Sequence, residues 1–133
     1  IHSERALVMD IDGTLCETKA GDQSYLDVAP KEKVVDKLRE YRTAGFYIIL
    51  YSSRNMRTYQ GNLGRIIANT TRVLTEWLDR HEIPYDEIHL GKPWPGREGF
   101  YVDDRAIRPD EFTSLSFQEI TNLLGGNNER TDG

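Results

Sequence analysis

Short apolar runs that stop in polar, turn-forming clusters recur along this chain and alternate with segments of helical periodicity, and that alternation constrains the fold most. Arg5-Ala-Leu-Val-Met-Asp10 runs into Asp-Ile-Asp-Gly-Thr and reads as a buried strand. Pro30 opens a segment with Val34, Val35, Leu38 and Tyr41 on one helical face, and Gly45 sits where a C-terminal cap belongs. Phe46-Tyr-Ile-Ile-Leu-Tyr51 is β-branched and aromatic and ends in Ser52-Ser53-Arg54, a second buried strand. Residues 55–69 are polar and Gly-punctuated, so the next helix face is expected only from Val73, Leu74, Trp77, Leu78 and His81 to the stop at Pro84. Glu87 to Leu90 predicts a weak third strand. Phe100-Tyr-Val102 predicts a fourth, ending in Asp103-Asp104, and Ser116 with Glu119 forms a capping box for a last helix.

Strands alternating with helices predict an α/β fold, a three-layer Rossmann-like sandwich around a mainly parallel sheet, because continuous apolar strands need cover on both faces. Ligands of such sheets bind at the carboxyl ends of the strands. The 133 residues suit one domain, expected over 1–124, with a Gly-, Asn- and charge-rich tail over 125–133 expected to be disordered. A start at Ile1 rather than Met raises the expectation of a processed form or a domain cut from a longer chain.

Composition narrows the partners. With 17 basic against 22 acidic side chains the net charge is −5, which argues against a general nucleic-acid or membrane-surface binder. One cysteine, Cys16, makes no internal disulfide, and neither a signal peptide nor a run of about 20 apolar residues is visible, so a cytoplasmic location is expected. His2, His81 and His89 lack zinc spacing, and Gly13 falls at the wrong loop position for an EF-hand.

The chemistry-bearing residues fall at the expected strand ends: Asp10 and Asp12, Ser52 to Arg54, Lys92, then Asp103 and Asp104. Carboxylates crowded on one rim repel unless a cation neutralises them, and hard oxygen ligands suit Mg²⁺, which takes one or two carboxylates plus waters and substrate phosphate. A lysine and a serine hydroxyl beside the metal add donors for phosphoryl oxygens, and a carboxylate can serve as nucleophile. Each element alone is a common turn or surface feature; the order in which they recur points to phosphoryl transfer.

Asp10-Ile-Asp-Gly-Thr-Leu15 resembles the first signature motif of the haloacid dehalogenase superfamily. Ile48-Ile-Leu-Tyr-Ser52 resembles the second, Lys92 the third and Val102-Asp103-Asp104 the acidic fourth. Within the superfamily, Ser53-Arg-Asn-Met-Arg-Thr58, Gly91-Lys-Pro-Trp94 and Gly99 to Pro109 resemble the small capsule-biosynthesis phosphatases. The resemblance implies a Mg²⁺-dependent phosphatase with Asp10 as nucleophile and metal ligand. It makes Asp12 the general acid and base, which also ligates through its main-chain carbonyl. Ser52, with Ser53 beside it, and Lys92 would bind the phosphoryl group, and Asp103 and Asp104 would position the metal. Only residues 16–29 and 55–69 are open to insertion, too few for a cap domain, so Arg54, Arg57, Trp94 and Arg105 are expected to touch the substrate.

The function so implied is hydrolysis of a small phosphate monoester through an aspartyl-phosphate, the substrate being a sugar phosphate of capsule or surface polysaccharide synthesis. Two alternatives stand beside it: a polynucleotide 3′-phosphatase, which the acidic balance disfavours, and a non-catalytic regulatory domain of a larger enzyme. A homo-oligomer or fusion to a larger biosynthetic enzyme is among the expected partnerships.

Overall fold

The computed structural model describes residues 4–125. The chain divides into two compact units, Ile1–Trp94 and Pro95–Gly133. The first carries a three-stranded parallel sheet of β1 (Ala6–Asp10), β2 (Tyr47–Ser52) and β3 (Glu87–Leu90), in the order β1-β2-β3. Helices α1 (Glu32–Thr43) and α2 (Leu63–Arg80) make the two crossovers. This is a Rossmann-like α/β arrangement, as the alternation predicted, and the described residues hold no cap domain.

The register sets the site. Asp10 lies opposite Tyr51, and Ser52 opposite Leu90, so the three strands end on one rim. The Ile11 N–H extends the ladder one step by donating to the Tyr51 carbonyl at 3.1 Å. Ile48 and Leu50 of β2, Val35 and Leu38 of α1, and Ile66, Leu74, Trp77 and Leu78 of α2 are fully buried and form the core with Ile11 and Leu15. Burial of each large aliphatic side chain is worth about 1.5–3 kcal/mol, which is what holds helices to sheet. β1 is an edge of this sheet, and Val8 on it is 58% exposed.

Between β1 and α1 the chain crosses residues 16–29 as a loop with one 3-10 turn, Tyr25–Asp27, capped by the Ser24 hydroxyl. Trp77 fixes that loop: its indole N–H donates to the Val28 carbonyl at 2.9 Å in a buried bond.

Three expectations need correction. First, α2 begins at Leu63, ten residues before Val73; the Asn62 side chain accepts from the Arg65 N–H and starts the helix within the Gly-punctuated stretch. Second, Phe100-Tyr-Val102 is no strand: it belongs to the second unit, with Phe100 and Val102 exposed. A parallel crossover takes about a dozen residues or more, and residues 91–99 between Leu90 and Phe100 fall short of that. Third, the described residues of the second unit form two short helices rather than one, α3 (Pro109–Ser114) and α4 (Phe117–Leu123). Pro109 at the first helical position and the Glu111 carboxylate accepting from the Arg108 N–H start α3, and the expected Ser116–Glu119 box caps α4. Apart from Gly125, the tail expected to be disordered lies outside the described residues.

Candidate active site

Asp10 is the last residue of β1, and its carboxylate is engaged on both oxygens. The Thr14 hydroxyl donates to Oδ2 at 3.0 Å and the Lys92 ammonium to Oδ1 at 3.1 Å. Gly13, at φ +86°, lets the chain turn back after the strand; its N–H reaches the Cys16 carbonyl, and its own carbonyl accepts from Lys31 Nζ at 3.0 Å. Lys92 is set by Gly91, also at φ +86°, where an added Cβ would meet Leu63 Cδ1 at 3.0 Å. The Lys92 N–H donates to the Ser52 carbonyl at 3.1 Å, and its ammonium stands 4.5 Å from the Tyr51 ring centre. Only 9% of the Lys92 side chain is exposed, against 26% for Asp10, so the carboxylate is the part of this pair that meets solvent.

Asp12 is held as firmly. The Ser52 hydroxyl donates to Oδ2 at 2.7 Å, while Arg54 donates to Oδ1 through Nε at 3.2 Å and Nη2 at 2.7 Å. The same Ser52 oxygen accepts the Arg54 N–H at 2.9 Å, which ties the end of β2 to the loop after it. Arg54 is buried, with its guanidinium 3.9 Å from the centre of the Tyr25 ring, and its Nη1 has no hydrogen-bond partner among the described residues. Burial raises the Tyr25 hydroxyl above its ordinary range, with the Arg54 charge pulling it back down and Asp12 adding to the rise.

Beside this cluster opens a pocket of about 270 Å³ lined by Asp12, Lys19, Tyr25, Arg54, Arg57 and Trp94 among others. Ser53 lines it too, and the Arg57 guanidinium stands 5.7 Å from the Trp94 ring centre. Asp10, Asp12, Ser52, Ser53, Arg54, Arg57, Lys92 and Trp94 thus all lie in the first unit. Asp103, Asp104 and Arg105 lie in the second and are exposed; Asp103 accepts the Arg105 N–H at 2.8 Å. Among the described residues no three His, Cys, Asp or Glu side chains gather in a group able to hold an ion. Thr14, Lys19 and Tyr25 were not anticipated from the sequence. Thr14 was within reach, since a hydroxyl four residues after Asp10 in a tight turn can fold back on it; Lys19 and Tyr25 sit in an aperiodic loop that gives no such signal.

A crystal structure of an MCSG target from Vibrio cholerae matches with a TM-score of 0.87 at 48% identity, over 93% of this chain and 99% of that one. The chain belongs to the family of that Vibrio cholerae protein. The structure of a Pnkp1/Rnl/Hen1 complex aligns at a TM-score of 0.49 and 22% identity, over 83% of this chain and 34% of that one, a likeness too slight to argue from. The sequence matches no protein-family model and no curated protein. Among the described residues, no helix is long and apolar enough to cross a membrane.

Proposed function

We propose that this protein is a Mg²⁺-dependent phosphatase of the haloacid dehalogenase type, acting in the cytoplasm on a small phosphate monoester, with a sugar phosphate of surface polysaccharide assembly as its substrate. The observation that carries the reading is Asp10 at the carboxyl end of parallel strand β1, one oxygen on Lys92 and the other on Thr14, with Asp12 two residues on and bonded to Ser52. Residues two apart in extended chain lie on one side, so both carboxylates can address one phosphorus.

Asp10 attacks phosphorus in line; the P–O ester bond breaks, and the leaving oxygen takes a proton from Asp12. Water then attacks the aspartyl-phosphate, Asp12 takes back a proton, and phosphate leaves with Asp10 restored. Lys92 and Ser52 supply donors to the phosphoryl oxygens. To deliver its proton, Asp12 must give up one of its bonds to Arg54 or Ser52. Asp10 and the main-chain carbonyl of Asp12 would offer hard oxygens of the kind that Mg²⁺ takes alongside waters and phosphate. When bound, Mg²⁺ neutralises phosphoryl charge.

Asp10→Asn conserves volume and removes the nucleophile, so phosphate release across a panel of sugar phosphates should vanish, while the native enzyme should carry labelled phosphate on a peptide containing Asp10 after rapid quench. Full activity of Asp10→Asn would refute the covalent mechanism.

A further inference from the structure

The pocket that Asp12 lines is unbalanced in charge. Lys19, Arg54 and Arg57 line it against the single carboxylate of Asp12. Arg54 spends its Nε and Nη2 on that carboxylate and keeps a buried Nη1 with no partner among the described residues. Lys19 donates to the Gly21 carbonyl at 2.7 Å and stands 5.3 Å from the Tyr25 ring centre; Arg57 stands over Trp94. Neither makes an ion pair among the described residues, although most other cationic side chains of α1 and the site do. Cations gathered in a partly enclosed pocket focus a positive field there, and the two aromatic rings add flat apolar surface beside them.

We infer that this pocket is an anion subsite, and that the substrate is a small phosphate monoester carrying a second acidic group, of the class of a uronic acid phosphate. The inference rests on the phosphatase reading above and adds the substrate's chemistry. With the phosphate at Asp10, Ser52 and Lys92, the rest of the molecule extends over Asp12 and Arg54. Its sugar ring lies between Tyr25 and Trp94, and its carboxylate meets Lys19 and Arg57. A volume of about 270 Å³ suits one sugar-sized group and is at the small end of ligand pockets. A carboxylate there supplies the counter-charge that Asp12 alone does not.

Glucuronic acid 1-phosphate and glucose 1-phosphate differ by that one carboxylate and serve as the probes. Their affinities are measured by calorimetric titration on Asp10→Asn, where turnover does not interfere, and phosphate release is followed separately on the native enzyme. The acid should bind about tenfold tighter, as a charge-assisted bond to a fixed cation provides, and Lys19→Gln or Arg57→Gln should shrink that ratio to about twofold. Equal affinities, or a preference that both variants keep, would overturn the subsite. A 3′-phosphorylated oligonucleotide that binds tighter than either sugar and loses affinity in the same variants would replace the small acid as occupant and overturn the proposal too. The two readings fail separately: preference without phosphate release removes the phosphatase and keeps the subsite, and release with equal affinities does the reverse.

Discussion

Arg54 grips Asp12 through two nitrogens at 3.2 and 2.7 Å while only 2% of its side chain meets solvent, so among the described residues the carboxylate is the one counter-charge of a buried guanidinium. Removing one partner of such a pair leaves an unpaired buried charge, which is worse than removing both. Asp12→Asn should therefore destabilise the fold as well as slow the chemistry. Because 27% of the Asp12 side chain is exposed, the penalty is discounted to about 1–3 kcal/mol. Arg54→Met in the same chain should restore part of it. A double-mutant cycle by urea denaturation checks this, and strictly additive losses would show that the two side chains do not depend on each other.

Trp77 holds the loop that carries Tyr25. Trp77→Phe keeps most of the apolar surface but leaves the buried Val28 carbonyl without its 2.9 Å donor, a cost of about 1–3 kcal/mol. The melting temperature should fall by several degrees in calorimetry. Tyr25 lies three residues before Val28, so binding of a pocket ligand should weaken in parallel. An unchanged melting temperature would mean that the carbonyl finds another donor.

The rim where the strands end was legible because its signals are short in range. An apolar run that stops at Asp10, or at Tyr51 before Ser52, fixes both a strand and the place where it ends, and parallel pairing then brings Asp10, Asp12, Ser52 and Lys92 level. The part of the pocket wall that Lys19 and Tyr25 supply was not legible, whereas Arg54, Arg57 and Trp94 were. Residues 16–29 have no period, and the bond that positions them joins Trp77 to Val28 across 49 positions, a contact that sequence pattern does not encode. Gly61 and Gly64 masked the start of α2, where the Asn62 cap and the buried Ile66 outweigh low local propensity. Phe100 to Val102 has strand composition, yet composition carries no account of the nine-residue connection before it.

Cys16 is buried, and burial, followed by the Asp12 charge, pushes its thiol from 9.0 up to about 11, against a bond from the Gly13 backbone that lowers it. The raised value stabilises the fold below pH 9.0, and that contribution is lost as pH rises through 11. At pH 8 the native thiol should stay dark to a disulfide reagent and react only as the chain unfolds, with one equivalent released in denaturant. Rapid native labelling would show that the first-motif turn opens readily.

Asp86 ties the entry of β3 to its neighbours: its Oδ2 accepts the Ile48 N–H and an Arg42 Nη1, each at 2.8 Å. The bond from the Ile48 backbone lowers its pKa below the ordinary 3.8 more than any other influence, burial opposes the shift, and Arg42 reinforces it. A carboxylate with a depressed folded value adds stability above its unfolded pKa and loses it as pH falls through the folded one. Asp86→Asn can still accept from Ile48 but has no charge for Arg42. Its melting temperature should lie a few degrees below that of the native chain at pH 7, and the gap should close as the pH falls below 3.8 and the native Asp86 is itself protonated. Calorimetry at matched ionic strength from pH 7 down to pH 3 follows that gap. A difference that stays constant across the range would mean that the substitution acts through packing rather than through the charge on Asp86.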